Sequence, residues 1–346
     1  MRAVGIIACM ISPASRRAAG SLFGLAYGDA LGKPTEFLSV AEIDRRYGPA
    51  GPRELVGDPA PVTDDTQMAL AVAWALHDAP GYTAEAVEPL LRRRFLDWAA
   101  SPDNNRAPGM TCLRACAELS RGLPWQQATV VASKGCGANM RVTPVGLLDV
   151  DLDTLAGLAQ LQAGLTHGHP TGLAASELTA YAVRLLMDGV ALAELPDLLA
   201  ARTRDQRTVY RADWLGDLWR RAGAATPEEF IATGWDECRA ALRRLAVALA
   251  APDDGGDPGR RTGEGWIAEE ALATALYCAL RHADDPVGAL ARGARTAGDS
   301  DSIAALAGAF VGAAAGMAAW PAGWADRIEY ADQLTALAAF WERKPG

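Results

Sequence analysis

Gly298-Asp299-Ser300-Asp301-Ser302 runs directly into Ile303-Ala304-Ala305-Leu306-Ala307-Gly308-Ala309-Phe310-Val311-Gly312-Ala313-Ala314-Ala315-Gly316. Residues 303–320 carry no charge, and a run of that length is close to what a membrane span needs. Composition argues against that use: alanine and glycine dominate, their transfer to lipid gains little, and the run begins beside two aspartates. A buried core helix accounts for it better. Ala304, Gly308, Gly312 and Gly316 recur every fourth residue and so form one flat ridge. Gly20, Gly24 and Gly28 repeat that spacing near the start of the chain. Two such ridges allow helix backbones to approach closely, and if these helices cross, the carboxylates near their ends meet. A compositional bias towards glycine and alanine would also produce either ridge alone.

The rest of the chain fits an all-α fold. Half of the 346 residues are apolar but only 7% are aromatic, which suits close helix packing better than a sandwich filled by branched and aromatic side chains. Apolar periodicity predicts helices at 15–31, 64–77, 84–99, 110–121, 152–165, 172–188, 227–249, 266–282, 286–296 and 302–319. No stretch alternates as a strand. No linker divides the chain, so one domain is expected over 15–346, preceded by an N-terminal extension, 1–14, expected to be disordered. The extension has a short apolar run after Arg2 and is read as unprocessed, not as a signal peptide.

Several function classes are set aside. A net charge of −9 without a basic run disfavours general nucleic-acid binding. Six cysteines without a CxxC pair read as reduced thiols of a cytoplasmic protein. Four histidines and no HExxH leave a zinc site with imidazole ligands short of material, so any metal must be held by oxygen. No surplus apolar face marks an interface, and a monomer is expected.

The chemistry concentrates in acidic clusters. Val62-Thr63-Asp64-Asp65-Thr66 precedes the apolar run 68–76. One of these side chains would be an ordinary helix cap. Four oxygen-bearing side chains in succession exceed what a cap needs. Gly298-Asp299-Ser300-Asp301-Ser302 repeats the arrangement, with Ser302 able to cap while Asp299 and Asp301 point towards one place. Such carboxylates repel and raise one another's pKa unless a cation lies between them, and hard oxygen ligands select Mg²⁺ or Mn²⁺. Two clusters could hold two ions roughly 3.5–4 Å apart. A third acidic element, Gly28-Asp29-Ala30-Leu31-Gly32-Lys33-Pro34-Thr35-Glu36-Phe37, ends the first ridge; alone, Asp29 and Glu36 would pass as turn and surface carboxylates. In Gly135-Cys136-Gly137-Ala138-Asn139-Met140-Arg141, small residues let backbone N–H groups approach phosphate, and Arg141 adds a possible positive partner. His167, taken alone, is a histidine closing a helix C-terminus.

In order, Gly-Asp-Ala-Leu-Gly with Glu36-Phe37, Thr-Asp-Asp-Thr, the 135–141 loop, Thr166-His167 and Gly-Asp-Ser-Asp-Ser-Ile-Ala resemble the ADP-ribosylglycohydrolases, over roughly residues 15–319. The resemblance implies a compact, orthogonal all-helical bundle with two Mg²⁺ or Mn²⁺ ions at the floor of a central ADP-ribose cleft. It implies metal ligands at Thr63, Asp64, Asp65, Asp299, Asp301 and Ser302, and catalytic roles for Glu36, Asp65 and Asp301. Substrate contacts fall to Asp29, Gly135, Cys136, Gly137, Ala138, Asn139, Met140, Arg141 and His167. The implied partner is an ADP-ribosylated protein or other ADP-ribosyl conjugate, hydrolysed at C1″ of the distal ribose to free ADP-ribose. Cys136 departs from the family's Asn, and Ser300 and Ser302 stand where many members have Thr. A non-catalytic ADP-ribose-binding relative and a metal-dependent phosphoesterase are the alternatives.

Overall fold

The computed structural model describes residues 16–342, so the expected 1–14 extension lies outside the described residues. The chain is all-α: 66% of it is helical, and among the described residues β-structure is confined to isolated bridges. The longer helices are α1 (Arg17–Gly32), α2 (Val40–Tyr47), α3 (Asp64–Asp78), α4 (Ala84–Ala100), α5 (Met110–Ser120), α6 (Leu152–Gly164) and α7 (Pro170–Met187). They continue as α8 (Leu195–Asp205), α9 (Pro227–Ala250), α10 (Ala268–Arg281), α11 (Pro286–Ala294), α12 (Ser300–Ala315) and α13 (Ala331–Glu342). Among the described residues no helix is long and apolar enough to cross a membrane.

Helices α1 and α12 cross at the centre, ridge against ridge. A Cβ on Gly24 would lie 2.3 Å from the Gly308 carbonyl oxygen, and one on Gly28 would lie 2.0 Å from that of Ala304. The backbones touch where side chains would normally separate them. Ser21 Oγ donates to the Ala309 carbonyl at 3.0 Å, and Trp320 Nε1 donates to that of Gly20 at 2.9 Å, fixing the register. The contact continues to the helix ends: a Cβ on Gly32 would sit 2.3 Å from Asp301 Cα. The ridge that builds the core thereby delivers the end of α1 to the start of α12.

Two boundaries differ from the periodicity. Helix α12 begins at Ser300, which puts Asp301 and Ser302 in its first turn and leaves Asp299 at the N-cap without a side-chain capping bond. Ser302 is therefore not the cap. The helix ends at Ala315 because Gly316 adopts φ +77, four residues short of the expected end. Helix α10 starts at Ala268, not at residue 266, because Ile267 pairs with Gly135 in an isolated antiparallel bridge.

Candidate functional site

Asp29 lies in the last turn of α1, fully buried, and all its acceptor capacity turns towards the start of α3. Its carboxylate accepts from the N–H and hydroxyl of Thr63, at 2.9 Å each, and from the N–H and hydroxyl of Thr66. Asp29 is thus a clamp behind the site and does not line the cleft. Thr63 is the N-cap of α3, its hydroxyl accepting from Asp65 N–H at 3.3 Å. With the cap supplied by Thr63, Asp64 and Asp65 are free for other work, in a first turn whose dipole favours negative charge. Gly109 N–H donates to Asp64 Oδ2 at 3.1 Å and fixes that side chain from the opposite loop.

Glu36, Asp64, Asp65, Asp299, Asp301 and Ser302 share one cleft with Gly135, Cys136, Gly137, Met140 and His167. Gly109, Met110, Thr111 and Trp266 complete the lining. Burial first, then repulsion from Asp301, pushes Asp29 up to about 7 and half-buried Glu36 up to about 9. Burial raises Asp64 to about 7, and burial with the Asp301 charge raises Asp65 and Asp299 well above the usual carboxylate range. Among the described residues no lysine or arginine pairs with any of these carboxylates. Basic groups on adjoining segments are committed elsewhere: Arg106 to Glu329, Lys134 to Glu237 and Glu269, Arg295 to Asp44.

Asp65 Oδ1 is buried without a hydrogen-bond partner. An orphaned carboxylate oxygen among repelling neighbours is costly unless a cation joins it, so this donor set fits hard divalent ions. The carboxylates surround the floor without forming a ready-made ligand set: among the described residues no three or more His, Cys, Asp or Glu side chains are gathered for one ion.

The 135–141 loop divides in two. Gly135, Cys136, Gly137 and Met140 face the cleft, whereas Ala138, Asn139 and Arg141 lie behind it, fully buried. Asn139 Nδ2 donates to the Ala268 carbonyl at 3.1 Å. Arg141 stacks over the Phe95 ring at 4.2 Å and donates to Gln162 Oε1, the Gln162 carbonyl and Thr166 Oγ1. Its guanidinium is a strut inside the protein, not a phosphate partner at the surface. Thr166 Oγ1 in turn meets His167 Nδ1 at 2.8 Å, so Arg141 orients the histidine through the threonine. A Cβ at Gly137 would lie 3.0 Å from Cys112 Sγ and 3.1 Å from the His167 ring, so the small residue lets the loop pack closely on both. The Cys136 thiol is buried and pushed up, by burial first and then by Asp299 and Asp65, and so is a neutral group in the absence of a cation.

Burial, with a smaller contribution from Arg141, depresses His167 from 6.5 to about 3. A depressed histidine gives stability that is complete above its unfolded value and is lost as pH falls towards the folded one. Between pH 7 and pH 5, His167→Gln is expected to lose about 2 kcal/mol less stability than the parent, from about 1.4 kcal/mol per pH unit. Urea titrations at both pH values measure this, and equal losses in the two proteins would refute it.

Sequence reasoning missed Met110 and Trp266, which both open predicted helices and were absorbed into them; the glycines at 263 and 265 before Trp266 were the available signal. Phe37 was quoted in a motif without a role, yet its ring stacks on Trp266 at 5.7 Å and 14°.

Comparison with known proteins agrees with the fold. An uncharacterised protein of Archaeoglobus fulgidus is 35% identical over 161 residues, 44% of this chain but only 49% of that relative. The chain therefore spans about half of that relative's length. ADP-ribosylhydrolase ARH3 of Bos taurus is 26% identical across 92% of this chain and 90% of its own. A solved structure described as an ADP-ribosylglycohydrolase-related protein complex shares the fold with TM-score 0.69, over 96% of this chain and 99% of that chain at 24% identity. The ADP-ribosylglycohydrolase family model matches residues 11–345, so the chain belongs to the ADP-ribosylglycohydrolase family, a family of hydrolases.

Proposed function

We propose that the chain hydrolyses the C1″ glycosidic bond of an ADP-ribosylated protein or other ADP-ribosyl conjugate, with two Mg²⁺ or Mn²⁺ ions, and releases ADP-ribose. The observation that carries this reading is the cleft floor itself: buried carboxylates without a basic partner, one oxygen orphaned, beside a small-residue loop. Family membership and a relative named an ADP-ribosylhydrolase support the substrate class.

Thr63, Asp64, Asp65, Asp299, Asp301 and Ser302 would hold the ions, which when bound supply positive charge to orient the ribose hydroxyls and to acidify water. The protein's own groups do the rest. Asp29 keeps Thr63 and the first turn of α3 in place. Gly109 holds Asp64. Glu36, on the turn after α1, is the carboxyl group able to exchange a proton at the acceptor atom. Buried carboxylates offset the positive charge that develops at C1″ as the bond breaks. Gly135 and Gly137 let the loop approach the diphosphate, and neutral His167 offers a hydrogen bond without adding charge.

The test is product analysis on a defined ADP-ribosyl peptide with Mg²⁺, Mn²⁺ or chelator. Free ADP-ribose is expected, with loss of turnover in chelator and recovery when either metal is restored. AMP as product would assign the chain to phosphoesterase chemistry, binding without product would make it a sensor, and an undiminished rate in chelator would remove the metals.

A further inference from the structure

A separate cavity of about 420 Å³ is lined by Lys33, Thr63, Asn105, Arg106 and Ala107, none of which lines the acidic cleft. Its walls continue the segments that build the cleft floor. Lys33 closes α1, its N–H donating to the Asp29 carbonyl at 2.8 Å, and begins the turn that carries Glu36. Thr63 directly precedes Asp64. The 105–109 loop runs from the cavity to the floor, where Gly109 N–H donates to Asp64 Oδ2 at 3.1 Å. Between the two, Ala107 sits at φ +52, a left-handed conformation that a non-glycine residue adopts at a cost. Arg106 is fastened from behind, donating to the Val62 carbonyl at 2.8 Å and to Glu329 Oε1 at 2.8 Å.

The cavity has the opposite electrostatic character to the cleft. The cleft lining includes neither lysine nor arginine, whereas this lining holds one of each and no carboxylate. Arg106 is matched by Glu329: burial raises that carboxyl, but hydrogen bonds from Arg106 and Val62 N–H, with the charges of Arg106 and Lys33, hold it below its usual range. Asp103, exposed on the same loop, meets the Tyr330 hydroxyl at 3.4 Å and does not line the cavity. Lys33 is half-buried, and among the described residues its ammonium pairs with no carboxylate. One positive charge on a flexible stem is thus left over, beside the turn that brings Glu36 to the acceptor atom. A chain of net charge −9 with a carboxylate floor repels an acidic segment unless a positive seat receives it. The diphosphate is not the occupant, because Gly135 and Gly137, which let phosphate approach, line the cleft and not this cavity. We infer that the Lys33–Arg106 cavity seats a carboxylate of the modified protein, an aspartate or glutamate side chain flanking the ADP-ribosylated residue. The inference rests on the hydrolase reading above and adds to it the charge of the substrate's flanking sequence.

The experiment uses the full chain with Mn²⁺ and pairs of ADP-ribosylated peptides, identical except that glutamates flanking the modified residue in one are glutamines in the other. Pairs are made with ADP-ribose on serine and on arginine, and kinetics follow whichever linkage is hydrolysed. The parent is expected to favour the glutamate peptide about threefold in kcat/KM, the scale of one partly exposed ion pair, with the difference in KM and not in kcat. Lys33→Gln should abolish the preference, Lys33→Glu reverse it and Lys33→Arg retain it. In the parent it should fade at about 0.5 M salt, where screening acts within about 5 Å. Affinity for free ADP-ribose, measured by calorimetry, should change less than about twofold in Lys33→Gln. A parent without the preference, or a Lys33→Gln variant that keeps it, overturns the seat while leaving hydrolysis standing. A larger loss of ADP-ribose affinity in Lys33→Gln also overturns it, by assigning the ammonium to the diphosphate. If no peptide yields ADP-ribose, the hydrolase reading fails instead. The glutamate-over-glutamine affinity ratio of both pairs, and its loss or retention in Lys33→Gln, then decides the seat independently.

Discussion

Gly308→Ala is expected to destabilise the protein by about 3 kcal/mol or more, a large share of the 5–15 kcal/mol typical of a folded domain. The added Cβ would lie 1.9 Å from the Gly24 carbonyl oxygen and 2.5 Å from its carbon, and both are backbone atoms that cannot rotate away. Relief requires α1 and α12 to separate. Separation carries a second effect, because the same crossing sets Gly32 against Asp301. The variant should therefore lose ADP-ribosyl hydrolysis even in whatever fraction remains folded. Urea unfolding measures the first effect and specific activity of the soluble protein the second. Gly81→Ala is the control: nothing lies within 4 Å of a Cβ there, and its cost should stay within about 0.5 kcal/mol. A loss below about 1 kcal/mol in Gly308→Ala would mean that the crossing is looser than the backbone contacts imply.

That crossing was legible before any coordinates, because a four-residue glycine spacing leaves a helix little else to pack with than another backbone. The helices with weak apolar periodicity were not. In α2 only Ile43 is buried, so no stripe marks it, although Ser39 and Glu42 form a capping box visible in the sequence. Helix α13 buries Leu334, Leu337 and Ala338, an i, i+3, i+4 face that could have been read and was passed over. Length misled at the end of α12, where alanines continue the pattern but Gly316 turns the chain.

The candidate site divides along the same physical line. Duplicated acidic clusters at helix starts stand out because two helices need two caps, and the chain offers far more oxygen than that. Direction within the 135–141 loop does not stand out. Whether Arg141 faces ligand or protein depends on the tight turn Cys136–Ala138 and on Gln162 and Thr166, which come from another helix and its C-terminal end. Sequence neighbours carry no trace of that choice. Trp266 was hidden for a similar reason, since its place at the cleft follows from the bridge that its neighbour Ile267 makes to Gly135 and not from its own periodicity.

Asp301→Asn is expected to move stability and activity in opposite directions. Asp301 is the charge that recurs in the upward displacement of Asp29, Glu36, Asp64, Asp65 and Asp299, and it is only 4% exposed. Its Oδ1 accepts from Ser302 N–H at 2.9 Å, a bond that an asparagine carbonyl can keep. The new amide adds donors where the neighbours are acceptors, and it removes one repelling charge from low-dielectric surroundings. In chelator, the variant should be more stable than the parent by about 1–3 kcal/mol, the scale on which relieving a buried charge conflict is felt. With Mg²⁺ or Mn²⁺ the order should reverse. The parent gains stability from ions that bind only its folded form, whereas the variant has lost a hard anionic ligand and with it most of that gain. Hydrolysis should fall at least about a hundredfold, since the same carboxylate is asked to hold the charge that orients the ribose. Thermal midpoints in chelator and in each metal, measured alongside turnover, separate the two effects. A variant less stable than the parent in chelator would show that Asp301 serves the fold and not a cation, whatever its activity.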